Sequence, residues 1–164
     1  MNKPRFRDGA RQLYDFLDEI LVVCPACKGS AAVRTYGPAL PAGVAGGGLF
    51  QARRLVCERC SYVREWARVG VALPVTGEQV CDPFFHLPLW LQTSCCGKTL
   101  WAYNRRHRQF LEEYIRAELR EKESSPRAGY HNQGLANRLP EWMIVGKHRQ
   151  AVLRALFKLQ QPRR

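Results

Sequence analysis

The chain has 164 residues, with 26 Lys and Arg against 14 Asp and Glu, a formal net charge of +12 and 46% hydrophobic residues. That apolar content excludes a disordered polyelectrolyte, and no stretch approaches the roughly 18 apolar residues that a membrane-spanning helix needs. The opening Met1-Asn2-Lys3-Pro4-Arg5 lacks the apolar block of a secretory signal. The expected compartment is therefore cytoplasmic, where seven cysteines that include two Cys-x-x-Cys pairs favour metal ligation over disulfides.

In chain order, Phe6, Ala10, Leu13, Leu17, Ile20 and Leu21 recur at helical spacing, with Arg7, Arg11, Asp15 and Asp18 mostly opposite. The pattern predicts an amphipathic helix over 5–21, its apolar face widened by Tyr14 and Phe16. Three strands are expected next, over 30–36, 50–56 and 61–69. Between the first two lies an uncharged, glycine- and proline-rich stretch, Gly37 to Gly48, which reads as a loop at a hairpin tip. Residues 70–83 are irregular and mark a boundary between a first domain, 1–75, and a second, 76–164. The dense apolar run Pro83–Gln92 is expected to be a core plug whose prolines limit long helices. Residues 104–123 carry the clearest helical signal. Asn104 is its candidate cap, Phe110, Leu111, Tyr114, Ile115 and Leu119 form its stripe, and Glu112–Arg116 and Glu118–Lys122 are its i,i+4 pairs. After a loop at 124–132, a short helix at 133–145 broken near Pro140 and a last helix at 147–160 complete the chain. The fold class is α+β: an N-terminal helix, a three-stranded antiparallel ribbon and a mostly helical C-terminal half.

The chemistry concentrates in Cys24-Pro25-Ala26-Cys27-Lys28-Gly29 and Cys57-Glu58-Arg59-Cys60-Ser61-Tyr62. A Cys-x-x-Cys turn lets two thiolates meet one ion, and two such turns complete a tetrahedral sulfur shell, which suits one structural Zn2+. Cys24, Cys27, Cys57 and Cys60 are the expected ligands. A thioredoxin-like redox pair would need a βαβ context around a single motif, and an iron site or unligated cysteines are the other readings of the same spacing. The Cys-Pro-x-Cys-x-Gly form resembles the first knuckle of zinc ribbons such as those of transcription factor IIB and RNA polymerase subunits, over roughly residues 22–69. The second knuckle departs from it, with Ser61 where glycine is common. The segments Leu87–Gln92 and Leu100–Asn104 resemble uncharacterised bacterial zinc-ribbon proteins. The resemblance implies a structural metal and a ribbon that binds nucleic acid or another protein.

Cys81, His86, Cys95 and Cys96 stay open between a second metal site and buried thiols among Phe84, Phe85, Trp90 and Trp101. A Cys–His nucleophilic pair, Cys96 with His86 or His107, is a weaker third option.

The charge is uneven. Residues 1–36 and 37–100 each hold six basic and four acidic side chains, and residues 101–164 hold fourteen and six. Such a surface points to nucleic acid held through phosphates. The candidate contacts are Arg53, Arg54, Arg64, Trp66 and Arg68 on the strands, Arg105, Arg106 and Arg108 at a helix start, and Lys147, Arg154 and Lys158 along the last helix. On the third strand, Trp66 is also expected to pack on the N-terminal helix. In the last helix Val152, Leu153, Leu156 and Leu159 lie opposite the basic edge. The expected function is a non-catalytic zinc protein that binds nucleic acid. The alternative is an adaptor that docks on an acidic partner protein, an enzyme or a polymerase.

Overall fold

The computed structural model describes residues 5–8, 11–37, 51–66, 79–117, 119–122 and 134–160. Strand β1 spans Arg5–Asp8, and a 3-10 turn follows at Leu13–Phe16. Then come β2 (Glu19–Val23), β3 (Ser30–Thr35), β4 (Arg53–Val56), β5 (Val63–Trp66), β6 (Leu91–Cys95) and β7 (Lys98–Ala102). Helix α1 covers Arg105–Arg116, β8 covers Leu119–Lys122, α2 covers Glu141–Ile144 and α3 covers Arg149–Gln160. Further 3-10 turns lie at Leu135–Arg138 and Gly146–His148. The class is α+β as expected, but the sheet next to the cysteines has four strands, and no N-terminal helix is present among the described residues.

The chain forms two compact units. One gathers Tyr14–Gln92 and Trp101–Asn104, the other Met1–Leu13, Thr93–Leu100 and Arg105–Arg164. The expected boundary near residue 75 lies outside the described residues, as do the loop beyond Gly37, Arg68 and the loop at 124–132.

In the first unit β2, β3, β4 and β5 form an antiparallel sheet in sequential order. The helical reading of 5–21 fails first at Glu19–Val23. Burial alternates along these residues, with Ile20 and Val22 inside, which is the period of a strand and not of a helix. β2 pairs with β3 from Glu19↔Arg34 to Val23↔Ser30, and β3 with β4 from Ala32↔Val56 to Thr35↔Arg53. The free side of β2 is covered by the apolar run expected to plug the core. The amide of Val23 donates to Pro88 O at 2.8 Å, that of Trp90 to Leu21 O at 2.9 Å, and that of Leu21 to Tyr103 O at 2.7 Å. An edge of unpaired backbone groups is thereby closed.

Three buried polar side chains organise the irregular segments beside this sheet. Asp82 accepts the amides of Phe84 (2.9 Å), Phe85 (2.8 Å) and Leu87 (2.7 Å), which shapes the loop in which His86 takes φ +56°. Burial pushes the Asp82 carboxyl up, against the opposing pull of those amides. Asn104 Nδ2 donates to Phe16 O at 2.9 Å and Glu19 O at 2.8 Å. Arg53 is fully buried. It donates to Leu17 O and lies 4.2 Å over the Phe84 ring. Burial lowers its pKa to about 10, with the charges of Asp18 and Asp82 acting in the other direction.

In the second unit β1 pairs in parallel with β8, from Arg5↔Leu119 to Asp8↔Lys122. The long helix expected over 104–123 therefore stops early. Ala117 closes the last turn on Glu113 O, and the next residues become the strand opposite β1. Leu119 belongs to that strand, not to the helical stripe. Phe110, Leu111, Tyr114 and Ile115 are buried as expected. Phe6 packs edge-on against Phe110 (5.3 Å) and Tyr114 (5.2 Å). The arrangement suits the ring quadrupoles and adds roughly 0.5–1.5 kcal/mol per pair beyond the buried area. α1 and α3 pack against each other, α3 burying Val152, Ala155, Leu156 and Leu159. The expected Glu112–Arg116 pair is present at 2.7 Å, and Glu112 also holds Arg108 at 2.6 Å.

Candidate metal centre

Both knuckles are the same backbone turn. In the first, the amide of Lys28 donates to Cys24 O at 3.0 Å and that of Cys24 to Gly29 O at 2.8 Å. In the second, the amide of Ser61 donates to Cys57 O at 2.9 Å and that of Cys57 to Tyr62 O at 2.9 Å. Each knuckle puts a non-glycine residue in the left-handed region, Lys28 at φ +60° and Ser61 at φ +58°. Ser61 thus corresponds to Lys28, and Tyr62 to Gly29. Glycine at 29 answers a different need. A Cβ there would meet Arg59 Cδ at 3.1 Å and Cys27 Sγ at 3.3 Å, so the position is small because a ligand sulfur passes beside it.

The knuckles are held at the ends of hydrogen-bonded strands. Cys24 follows β2, and β3 returns from the same turn to pair with it. Cys57 follows β4, and β5 returns likewise. The pairing of β3 with β4 brings the two turns together. Cys24 Sγ lies 3.7 Å from Cys60 Sγ, and Cys27 Sγ lies 3.6 Å from Cys57 Sγ. All four sulfurs fall within 4.8 Å of one another. Zinc–sulfur bonds of about 2.3 Å at tetrahedral angles place sulfurs about 3.8 Å apart. A disulfide needs sulfurs about 2.05 Å apart. The separations fit four ligands around one ion and are too long for a Cys24–Cys60 or a Cys27–Cys57 disulfide.

Cys24 and Cys57 are buried, Cys27 is half-buried and Cys60 is exposed, so the cluster opens to water on one side. Burial alone would raise the Cys57 thiol. Backbone hydrogen bonds at Cys60 and Arg59, with the Cys27 and Cys60 side chains, outweigh it and bring Cys57 down to about 7. At Cys60 the Tyr62 backbone pulls downward, but partial loss of water beside the other sulfurs and the neighbouring cysteines themselves push that thiol up to about 12. Four crowded sulfurs without a cation resist shared ionisation. A divalent ion removes the conflict by accepting all four thiolates. These residues can therefore hold one metal ion.

No family model, curated protein or solved structure matches this chain.

Among the described residues the four cysteines are the one group of three or more potential ligands that converges. Cys81, His86, Cys95 and Cys96 form no such group. Cys95 is buried and Cys81 half-buried, but Cys96 is exposed, so buried thiols do not describe the set either. No described helix is long and apolar enough to cross a membrane.

The expected nucleic-acid contacts divide. Arg53 cannot reach a phosphate, because it is fully inside the sheet unit. Its burial had a signal in the sequence: Arg53, Leu55 and Cys57 share one face of an alternating strand, and all three are buried. Arg108 is nearly buried and engaged by Glu112 at 2.6 Å. Arg54 pairs with Glu65 at 2.7 Å and stacks 4.6 Å from the Tyr36 ring. Trp66 packs edge-on against Phe84 at 5.1 Å, where packing on an N-terminal helix was expected, and Arg64 lies 5.7 Å over Phe85. Arg105, Arg106, Lys147, Arg154 and Lys158 are exposed, and Arg68 lies outside the described residues. What the residue pattern did not single out is Phe157. This ring is 60% exposed on α3, on the face opposite its buried residues.

Proposed function

We propose that this chain is a non-catalytic zinc protein of the zinc-ribbon type that binds nucleic acid through exposed cations of its last helix. The fit of four sulfurs to a tetrahedral shell supports the metal half of the reading. Zinc cross-links the two knuckles and neutralises their thiolates, and it takes no part in a reaction. The observation that carries the binding half is Phe157, an exposed ring on α3 one turn after Arg154 and next in sequence to Lys158, both of them exposed. Arginine and lysine reach phosphates, and an open aromatic face stacks on an unpaired base. The formal charge of +12 favours association with any polyanion. Nothing in the sequence or on α3 supplies a base-reading helix, so the recognition is of backbone and stacking.

Binding of short single-stranded DNA and RNA, followed by fluorescence anisotropy from low to high salt, tests the reading. Affinity should fall steeply with salt. Arg154→Glu with Lys158→Glu should flatten the slope of log K against log salt by roughly 0.7 for each phosphate that is no longer neutralised. Absence of salt-dependent binding to either nucleic acid ends the reading. One observation favours the adaptor reading instead. Among the described strands β5 is at the sheet edge, with Val63 54% exposed, a surface on which a partner's strand can pair. Nuclease-resistant co-purification of a stoichiometric protein would support it.

A further inference from the structure

Cys95, buried, and Cys96, exposed, stand outside the four-cysteine centre. They sit at the tip of the β6–β7 hairpin, where Cys96 at φ +50° and Gly97 at φ +71° form a two-residue turn. A turn with both central residues at positive φ ordinarily takes Asn-Gly or Asp-Gly. A cysteine in the first place offers the turn no local hydrogen bond, so the fold does not account for its presence. The Sγ atoms lie 3.8 Å apart, Cys95 donating to Cys96, with Cys96 exposed and Cys95 buried.

Two uses of such a pair are distinguished by geometry. A disulfide needs the sulfurs at about 2.05 Å and Cα atoms at least about 4.4 Å apart. Neighbouring residues across a trans peptide have Cα atoms only about 3.8 Å apart. Closing a disulfide therefore strains the turn. A chelated trivalent atom asks for far less closure, since two sulfur bonds of about 2.3 Å at the near-right angle of a pyramidal centre span about 3.3 Å, a short approach from the 3.8 Å seen here. We infer that Cys95 and Cys96 form a bidentate site for a soft, dithiol-seeking electrophile, of which a monosubstituted trivalent arsenical is the simplest.

Thiolate selects such soft centres. An organoarsenical has one position filled by carbon and needs only two sulfurs, so a pair suffices where zinc would need four. Phenylarsine oxide enters as its hydrate. Two As–S bonds form and two As–O bonds break. Each thiol proton leaves with a hydroxyl as water, and no electrons are transferred. The exposed Cys96 reacts first. Cys95, whose thiol burial and then Cys96 push up to about 11, closes the ring in a second, intramolecular step. The Lys158 charge acts on Cys95 in the opposite direction and favours its ionised form.

The test uses the zinc-loaded full chain and phenylarsine oxide, read by intact-mass and metal analysis. The expected result is one arsenical per chain with zinc retained. Cys96→Asn suits the positive φ, so the variant should fold, and its binding should be about a hundredfold weaker because the second thiol's effective concentration is lost. Cys81→Ser should bind like the parent. Arsenical uptake that occurs only as zinc leaves, or that survives Cys96→Asn, or that Cys81→Ser abolishes, overturns the assignment.

Discussion

The sheet unit and the helical unit hold themselves together by different chemistry. In the sheet unit the four paired strands are four to six residues long. They bury Ile20, Val22, Val33 and Leu55 completely, and polar cross-links add to that core. Arg53 and Asn104 bind the backbone of segments far apart in sequence, Asp82 fixes its own loop, and four cysteine sulfurs converge at one end. In the helical unit two twelve-residue helices, α1 and α3, pack together, and the rings of Phe6, Phe110 and Tyr114 interlock. A helix pair buries a continuous apolar stripe and needs no staple. The difference sets the expectation for a metal at the four cysteines: it would cross-link the two knuckles of the sheet unit and leave the packing of the helical unit unchanged.

Removing the metal should break this comparison open with the largest effect. Structural zinc contributes roughly 10–16 kcal/mol in apparent terms to small modules, more than the whole stability of a typical domain. Chelation, or Cys57→Ser, should abolish amide-exchange protection in β2, β3, β4 and β5. Amides of α1 and α3 should keep theirs. Loss of protection in both units together would show that the helices depend on the metal as much as the sheet does.

The next effect belongs to the helical unit alone. His107 is fully buried on α1, and burial drives its pKa from the ordinary 6.5 to about 3. Between those values the unfolded chain binds a proton that the folded chain refuses. The unfolded state thus holds more protons, and stability rises with pH through this window. The contribution is complete above about 6.5 and is lost at about 1.4 kcal/mol per unit as the pH falls, or about 2 kcal/mol by pH 5. Hydrogen exchange of the α1 amides from pH 7 to pH 4, after correction for intrinsic rates, should show that slope. His107→Gln should flatten it even if the variant is less stable throughout. An unchanged slope would mean that another group controls acid sensitivity.

How much of this was legible follows from the range of each interaction. The knuckles could be read because a Cys-x-x-Cys turn carries its chemistry within four residues. The strands after them were legible because a returning hairpin must leave each knuckle. α3 was legible from its stripe. The parallel pair of β1 and β8 was not, because Arg5 and Leu119 lie more than a hundred residues apart and neither segment advertises its partner. Phe6, Ala10, Leu13, Leu17 and Ile20 satisfy a helical period, and that coincidence hid both β1 and β2. The partners of Asp82 and Arg53 were hidden for another reason, although the alternation of Arg53 with Leu55 and Cys57 already pointed its side chain inward. A charge reads as surface until its partners are known, and the loop amides of 84–87 and the Leu17 carbonyl are visible only in three dimensions.

The smallest effects separate two glycine positions that the motif alone confuses. Ser61 sits at φ +58° with a Cβ, a conformation costing roughly 1–2 kcal/mol for most residues. Ser61→Gly removes that strain but loosens the unfolded chain by about 0.4–1 kcal/mol. The net gain should be about 0.5 kcal/mol, visible as a small rise in the denaturation midpoint of the zinc-loaded protein. Gly29→Ala should act in the opposite direction. Its methyl would meet Cys27 Sγ at 3.3 Å, and a sulfur tied to a metal cannot yield as the free end of Arg59 can. Zinc affinity in competition with a chromophoric chelator should therefore fall for Gly29→Ala and hold for Ser61→Gly. Equal behaviour of the two variants would show that the knuckle tolerates a shift of its ligand sulfur, and the tight fit at Gly29 would then have no bearing on the metal.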